Sequence, residues 1–388
     1  MTSETFLPRM GGAEIHVANL SRLLVEQNHE VVLVTNEIDA MLARERTKGV
    51  EVISMPWSRS RMVAIVRVLW AQAKRADVIH SHYSYRLATL AGIIGLLQRK
   101  PVIVTLHGLG TLNEAGARFP YTLVHAMYRR LSLGLAKRII STSEDLARVA
   151  ARYTDSRKMI VIPNGYDSDV FRPGREVSAM VRARLGERPI ILTVRRLVPK
   201  NGIQYLIEAL PSILKRHPDA HCVCIGDGRM RPHIESRISA LGIGEAVSLL
   251  GEVDNATVPE YLSAARVIVF PSTAESVSIA CAEAMGSGVP VVASRVGGLI
   301  ELLGEDSSRG RLVALCDWTE SDYNAPLSLP SRKYEMLADA VCEVLEQAKV
   351  PGDARAQIAI LYAQKELAWR VVVEKILAQY LIVCAQNH

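Results

Sequence analysis

Short runs of apolar residues alternate along the chain with longer amphipathic segments. Runs such as "EVVLVT" and "PVIVTLH" have the length and β-branched content of buried strands, and the segments between runs repeat apolar residues at helical spacing. Strands separated by helices are typical of a parallel sheet with helices on both faces. One series of strands is predicted at 30–35, 50–55, 77–82, 101–107, 138–143 and 159–165, and a second at 189–194, 221–228, 246–253, 266–272 and 290–298.

The two series predict two domains, because 388 residues exceed what one ordinary core accommodates. Helices are predicted between the strands of the first series, at 12–27, 61–75, 83–98 and 120–136. The predicted fold class is α/β, with two doubly wound parallel sheets. The first strand of the first sheet should precede "ETFLPRMGG", where only "MTS" stands, so either the start is misassigned or this strand is very short.

The composition is that of a globular protein, with 22% charged and 49% hydrophobic residues. The start of the chain lacks the basic and apolar regions of a signal peptide. The apolar stretch at 87–97 is too short to span a bilayer. All six cysteines lie in the second half, mostly within apolar patterns, and are interpreted as reduced core residues. We therefore expect a cytoplasmic location.

The charge is unevenly distributed. Residues 1–170 carry 22 Lys and Arg against 15 Asp and Glu, and the segment 59–138 holds 13 basic residues and two acidic ones. A basic surface attracts nucleic acid, an anionic membrane or a phosphorylated substrate. Aromatic residues are only 5% and no nucleic-acid-binding motif is present, so we expect peripheral contact with an anionic membrane and no nucleic acid. An ordinary solvated basic face is the alternative.

Two glutamates, Glu275 and Glu283, stand in an otherwise small and apolar stretch. An ionised carboxylate leaves water only at a large cost unless it finds hydrogen-bond donors. The strand at 266–272 places Glu275 in the following loop, and Glu283 falls in an early turn of a helix that ends at Gly286 and Gly288. Because a helix N-terminus binds phosphate oxygens, the pair predicts a site that grips hydroxyls on either side of a diphosphate, as in a nucleotide-sugar.

At these residues the chain resembles the retaining family 4 glycosyltransferases, glycosyl transferases group 1, of the GT-B fold. Their signature stands here as "ESVSIACAEAM", "GVPVV" and "GG" between residues 275 and 298. The resemblance extends from "PRMGGAEIHVANLSRLL" to the "W-x10-Y" pattern formed by Trp369 and Tyr380. It implies two Rossmann-like domains facing across a cleft: residues 1–165 with a crossover helix at about 368–388 for the acceptor, and residues 166–367 for the donor.

The resemblance implies a UDP- or GDP-sugar donor. Glu283 corresponds to the residue that binds the ribose hydroxyls, and Glu275 to the residue that contacts the transferred sugar. Arg196 matches a basic residue that neutralises the diphosphate, whereas the lysine expected before the glycine is Asn201 here, preceded by Lys200. The implied donor-binding residues are Gly11, Gly12, Arg196, Lys200, Asn201, Gly226, Gly228, Glu275, Ser276, Val277, Ser278 and Glu283, of which Arg196, Lys200 and Glu275 are also catalytic candidates.

The first half carries the implied acceptor side, with His16, His82 and His107; His107 matches the histidine beside the transferred sugar and is the fourth catalytic candidate. "PRMGGAEIH" and "VIHSHYS" are similar to stretches in enzymes that glycosylate phosphatidylinositol and in transferases of polysaccharide assembly. We therefore expect a hexosyltransferase whose acceptor is lipid-linked, or a polysaccharide or glycolipid intermediate, at the cytoplasmic membrane face. A soluble acceptor is the alternative.

No metal or other cofactor is expected. The Asp-x-Asp of "YDSDVF" is the metal-nucleotide motif of a different transferase fold, and we interpret Asp167 as a cap or hinge residue. His80 and His82 with His107 form a possible metal set, which no carboxylate or cysteine completes locally. Arg196 and Lys200 can stabilise the leaving diphosphate instead. Two other functions stay open: a nucleotide-sugar epimerase of related fold, and a catalytically weak nucleotide-sugar-binding partner subunit.

Overall fold

The computed structural model describes residues 1–6, 11–36, 49–83, 85–108, 112, 121–316, 326–347 and 354–387. The chain divides into two compact units, Met1–Gly165 with Trp369–His388, and Tyr166–Ala368. Each unit has a parallel sheet of its own between helices. Within the described ranges, no helix combines the length and apolar character needed to cross a bilayer.

The strands lie close to the predicted runs. They are β1 (Thr2–Ser3), β2 (Val32–Thr35), β3 (Glu51–Ser54), β4 (Ile79–His82), β5 (Val102–Leu106), β6 (Arg138–Ser141), β7 (Met159–Val161), β8 (Ile190–Val194), β9 (His221–Ile225), β10 (Val247–Gly251), β11 (Val267–Phe270), β12 (Val291–Ser294) and β13 (Arg311–Val313). The first sheet has the order β3-β2-β1-β4-β5-β6-β7 and the second β10-β9-β8-β11-β12-β13. The predicted α/β class with two parallel sheets is confirmed; the short β13 was not predicted.

The helices follow the strands along the chain, as a doubly wound fold requires. They are α1 (Gly12–Glu26), α2 (Met62–Arg75), α3 (Arg86–Leu97), α4 (Tyr121–Leu135), α5 (Glu144–Ala150), α6 (Ala179–Leu185), α7 (Ile203–Arg216), α8 (Arg231–Leu241), α9 (Val258–Ala264), α10 (Ile279–Ser287), α11 (Gly297–Leu303), α12 (Ser331–Gln347), α13 (Ala354–Tyr362) and α14 (Trp369–Ala385). The four helices predicted between the strands of the first sheet are confirmed to within three residues.

Strand β1 is central in the first sheet and only two residues long. It pairs in parallel with β2 on one side and β4 on the other, and the Met1 ammonium donates a hydrogen bond to the Val32 carbonyl at 2.6 Å. Burial lowers the pKa of this ammonium to about 5. A cavity of about 330 Å³ adjoins it, lined in part by Leu24, Leu69 and Tyr380.

Different helices pack against the two faces of the first sheet. Successive residues of a strand point to opposite faces, so neighbouring positions of one strand contact different helices. Ile103 packs with residues of α1 and α14, whereas Val102 packs with α2 and α3 and Val104 with α4. His80 and Thr105 are hydrogen-bonded to each other, and His80 contacts Tyr380 of α14. The histidines of β4 therefore lie on the α1–α14 face of the sheet.

The core of the second unit is built on the face of the sheet that α7 and α12 cover. Leu206 and Leu210 of α7 pack with Val341 and Leu345 of α12 against strand residues such as Val269. Every one of these side chains is buried. All six cysteines are free thiols; four are buried, as expected of core residues, whereas Cys316 and Cys384 are only partly buried. This core holds the ends of β8 and β11 in fixed positions, and the loops that follow them carry the charged residues described next.

Candidate active site

The loops after β8 and β11 lie side by side in the second unit, as expected for two adjacent parallel strands. The backbone N–H of Thr273 donates a hydrogen bond to the Lys200 carbonyl at 2.8 Å, which joins the two loops. The first loop carries Arg195, Arg196, Lys200 and Asn201, and the second carries Glu275, Ser276, Val277 and Ser278. Most of the donor-side candidates are therefore assembled at one edge of one sheet.

Each of these two loops also has a close backbone contact that only glycine allows. Gly226 has φ +122°, and a Cβ atom there would lie 2.1 Å from the Arg195 carbonyl oxygen. A Cβ atom on Gly298 would lie 1.9 Å from the Ser276 carbonyl oxygen, and the Gly298 N–H donates to the Glu275 carbonyl at 2.9 Å. Gly228, the other candidate glycine of "GDG", contacts the backbone of Leu197 in the same way. These glycines hold the two charged loops in place.

Helix α10 begins at the second of these loops. Ser278 is its N-cap, and the Ser278 hydroxyl accepts a hydrogen bond from the Cys281 N–H at 3.2 Å. Glu283 lies one turn further into the helix and is partly buried. Burial raises the pKa of the Glu283 carboxyl to about 7, and the negative charge of Asp167 adds to this effect. Without a ligand, the carboxyl of Glu283 therefore titrates near neutral pH.

Asp167 forms a turn, as the sequence interpretation expected. Its carboxylate accepts hydrogen bonds from the backbone N–H groups of Asp169 at 3.0 Å and Val170 at 3.2 Å. Both bonds are local, which is the usual behaviour of aspartate at the start of a turn. Asp167 therefore caps a local turn.

Arg195 is the residue of this site that the sequence interpretation missed. Its guanidinium forms an ion pair with Glu275, and both side chains are about nine-tenths buried. A further hydrogen bond runs from Arg195 Nη2 to Asn201 Oδ1 at 3.2 Å. The sequence did not indicate which of the two successive arginines points inward. Arg196, the candidate chosen from the resemblance, is exposed.

Lys200 and Asn201 are both close to this ion pair. Burial lowers the pKa of the Lys200 ammonium, against the opposing attraction of Glu275. Asn201 is buried, and its Nδ2 donates a hydrogen bond to the Arg196 carbonyl at 2.7 Å. Asn201 therefore ties the side chain of one arginine to the backbone of the next.

Four histidines form a second cluster, in the first unit, at the carboxyl ends of β4 and β5. His82 Nδ1 lies 3.0 Å from His107 Nε2, and the ring centroids of His16 and His107 are 4.8 Å apart. His16 Nδ1 lies 2.9 Å from Asn164 Oδ1. All three acceptor-side candidates, His16, His82 and His107, are thus in one cluster with His80.

These imidazoles are uncharged at neutral pH. Burial lowers the pKa of His16 to about 4, despite the hydrogen bond to Asn164. Burial and the neighbouring histidines hold the pKa values of His80, His82 and His107 well below the ordinary range. Neutral rings of this kind can donate one hydrogen bond and accept one, according to tautomer.

His16, His82 and His107 also have the geometry of a possible metal site, because ring nitrogens of all three lie within 4.8 Å of one another. His16 Nε2, His82 Nε2 and His107 Nδ1 are buried without a hydrogen-bond partner among the described residues. Three neutral imidazoles are a donor set that zinc accepts. The expectation that the protein needs no metal stays a prediction.

Gly11 and Gly12 lie at the start of α1, in the same unit as the histidines. A Cβ atom on Gly11 would lie 2.4 Å from Glu14 Oε2, so a side chain there would displace the Glu14 carboxylate. Glu14 is buried and accepts a hydrogen bond from the Thr5 hydroxyl at 2.6 Å. This carboxylate was not among the candidates. The preceding "LPRM" of the motif lies outside the described residues.

Comparison with known proteins identifies two matching families. The family described as glycosyl transferases group 1 matches residues 178–322, and glycosyltransferase family 4 matches residues 10–170. The first match spans all strands of the second sheet, and the second match spans β2 to β7 of the first sheet.

Individual relatives agree with the family matches. The chain is 30% identical over 323 residues to an uncharacterized glycosyltransferase of Methanocaldococcus jannaschii, covering 78% of this chain and 82% of the relative. It is 27% identical to a phosphatidylinositol N-acetylglucosaminyltransferase subunit of Arabidopsis thaliana, covering 79% and 69%. A crystal structure of Anabaena HepE in complex with UDP superposes with a TM-score of 0.76 at 18% identity, over 97% of this chain and 98% of the other.

Proposed function

Because the chain belongs to the family 4 glycosyltransferases and has their GT-B fold, we propose that it transfers a hexose from a UDP- or GDP-sugar to a lipid-linked acceptor, with retention of configuration. The acceptor is a lipid or a glycolipid or polysaccharide intermediate at the cytoplasmic face of a membrane. The proposal includes no metal in the transfer step. The observation that carries it is the arrangement of Glu275, Glu283 and basic residues around the start of α10.

The donor fits this arrangement by its chemistry. Glu283 binds the ribose hydroxyls, and a carboxyl with a pKa of about 7 becomes fully ionised when it accepts their hydrogen bonds. Glu275 binds hydroxyls of the transferred sugar. The diphosphate lies near the N-terminus of α10, with Arg196 and Lys200 neutralising its charge.

In the transfer step, the bond from the anomeric carbon to the diphosphate oxygen breaks and a bond to the acceptor hydroxyl oxygen forms on the same face of the sugar. The acceptor proton passes to the departing phosphate oxygen. Arg196 and Lys200 stabilise the diphosphate that leaves. His107, which is uncharged at neutral pH, is proposed as a neutral hydrogen-bonding group on the acceptor side.

A lipid acceptor is supported by the surface formed by α2, α3 and α4. Large apolar side chains are exposed there, among them Leu96 of α3 at 67% and Leu123 of α4 at 62%; the others are Val63, Trp70, Ile93, Leu97, Val124, Met127 and Leu131. Exposed basic residues, Arg61, Arg67, Lys74, Arg75, Arg99 and Arg130, accompany them. Apolar and basic side chains on one helical surface are typical of proteins that bind an anionic membrane. The relative that carries phosphatidylinositol in its name agrees with such an acceptor.

The experiment that tests the donor site is a thermal-shift panel with UDP, GDP, ADP and their common sugar conjugates, with EDTA and with magnesium. A ligand at a hundred times its Kd should add about 2.7 kcal/mol of stability. We expect one nucleotide to stabilise the protein equally under both conditions, and Glu283→Ala to abolish the shift. No shift from any nucleotide would contradict the proposal.

The acceptor and the alternatives need a product analysis. The nucleotide-sugar found in the panel is incubated with vesicles that contain phosphatidylinositol, with neutral vesicles and with free sugars, and the products are separated by mass. A glycosylated lipid is expected. A new nucleotide-sugar formed from the donor alone would favour an epimerase, and tight donor binding without turnover in any mixture would favour a binding subunit.

A further inference from the structure

Two adjacent arginines follow strand β8, and they occupy different environments. Arg196 is exposed, whereas the side chain of Arg195 is only 8% exposed. Its guanidinium lies 5.5 Å from the ring centroid of Phe270, the last residue of β11. Arg195 therefore points from one charged loop into the space beside the other.

The contacts of Arg195 are incomplete. Nη2 is hydrogen-bonded to Glu275 and, at 3.2 Å, to Asn201 Oδ1. Nη1 is buried and has no hydrogen-bond partner among the described residues. A guanidinium presents its N–H donors in a rigid planar fork, which matches two oxygens of a phosphate. One arm of the fork is held by the protein, and the other is left for an oxygen that the protein does not supply.

Stability alone gives a weak reason for this arrangement. A buried ion pair contributes little net stability, because desolvation of both charges offsets their attraction, and an unsatisfied buried donor adds a further cost. An anionic ligand would satisfy Nη1 and share the positive charge with Glu275. Glu275 is in the loop that leads to the N-terminus of α10, where anions are favoured.

We infer that Arg195 binds the diphosphate of the donor through Nη1, and that Asn201 is a positioning residue that holds the guanidinium by Nη2. The inference rests on the proposed donor site. It accounts for the asparagine at position 201, where the resemblance implied a lysine. Arg195 supplies the positive charge instead, and the amide side chain of Asn201 supports its guanidinium. Arg195, which was absent from the sequence-derived candidates, thus joins Arg196 and Lys200 on the diphosphate side.

The test compares nucleoside diphosphates with monophosphates. UDP, GDP, ADP, UMP, GMP and AMP are titrated calorimetrically into the wild type and four variants: Arg195→Ala, Arg195→Lys, the double variant Arg195→Ala/Asn201→Lys, and Arg266→Ala. Exposed Arg266 precedes β11 at the opposite edge of the sheet and serves as the matched control. Each variant is first checked for native circular dichroism.

Arg195→Ala should weaken the preferred diphosphate about tenfold to a hundredfold, the usual effect of losing a hydrogen bond to a charged group, and should change the matching monophosphate less than about threefold. Arg195→Lys retains the charge without the fork, so an intermediate loss is expected. The double variant returns a cation to Glu275 from position 201 and should recover at least half of the lost affinity on a logarithmic scale. Arg266→Ala should bind as the wild type does.

Equal losses of monophosphate and diphosphate affinity in Arg195→Ala, without recovery in the double variant, would show that Arg195 only supports the fold and would overturn the inference. If Arg195→Ala does not fold, the ratio of diphosphate to monophosphate affinity in Arg195→Lys and in the double variant distinguishes diphosphate binding by residue 195 from a purely structural role. A wild type that binds none of the six nucleotides would instead overturn the donor site itself, and this inference with it.

Discussion

The histidine cluster of the first unit and the charged loops of the second bury polar groups in opposite ways. The four histidines are uncharged, and three of their ring nitrogens have no partner among the described residues. The loops of the second unit bury full charges and pair them, as in Arg195 and Glu275. Neutral donors and acceptors suit hydroxyl groups, whereas a buried guanidinium suits a diphosphate. The difference matches the acceptor and donor roles proposed for the two units.

The two regions also respond to pH in opposite directions. A buried neutral histidine destabilises the fold as the pH falls, because the unfolded chain takes up a proton that the folded one refuses. Glu283 destabilises the fold as the pH rises, because the folded chain holds its proton more tightly than the unfolded one. Substitutions in each region therefore provide separate tests of the comparison.

The largest effect is expected from Glu275→Ala, which leaves the buried guanidinium of Arg195 unpaired. Removing one partner of a buried ion pair costs about 3 kcal/mol or more. Urea unfolding followed by circular dichroism measures the loss. The control is Glu346→Ala, which removes an exposed pair with Arg216 and should cost less than about 1 kcal/mol. Equal losses in the two variants would show that the Arg195 pair behaves like a surface pair.

Glu283→Gln should stabilise the unliganded protein at high pH. A pKa raised from 4.5 to about 7 corresponds to about 3 kcal/mol, and partial exposure reduces this to about 2 kcal/mol. The gain should be absent below pH 4.5 and complete above pH 7, as measured by urea unfolding at pH 4 and pH 8. Exposed Glu305→Gln should show no such gain. A pH-independent effect of Glu283→Gln would contradict the raised pKa of the Glu283 carboxyl.

His82→Gln should reduce the loss of stability in acid. The pKa of His82 in the folded protein is well below its ordinary 6.5, so its contribution is present above pH 6.5 and lost as the pH falls below it. One such histidine accounts for up to about 2 kcal/mol between pH 7 and pH 5. Unfolding at both pH values should show a smaller difference for His82→Gln than for the wild type. Exposed His29→Gln should leave the difference unchanged.

Asn164→Ala is expected to have the smallest effect. It removes the hydrogen-bond partner of His16 Nδ1, at a cost of about 1 kcal/mol. Without this acceptor the ring loses its fixed tautomer, so nitrogen NMR should show a mixture of tautomers at His16. Exposed Asn255→Ala serves as the control for stability. A single unchanged tautomer in Asn164→Ala would mean that other contacts orient the ring.

The periodicity of the sequence by itself determined most of the fold. Strands such as β5 and β11 were placed to within two residues, because a buried parallel strand needs a continuous run of apolar residues and the following helix needs a different period. The order of strands and helices then put Glu275 after β11 and Glu283 within α10. β13 was not predicted.

Only the tertiary structure decided which polar side chains meet. Two successive arginines are equivalent in a sequence pattern, and Arg195 points inward because its carbonyl packs against Gly226 while its guanidinium reaches Glu275. His16 and Asn164 are far apart in the chain and meet across the ends of separate elements. Local periodicity determines the elements of this protein, whereas the partners of buried polar groups depend on packing between elements that no local pattern records.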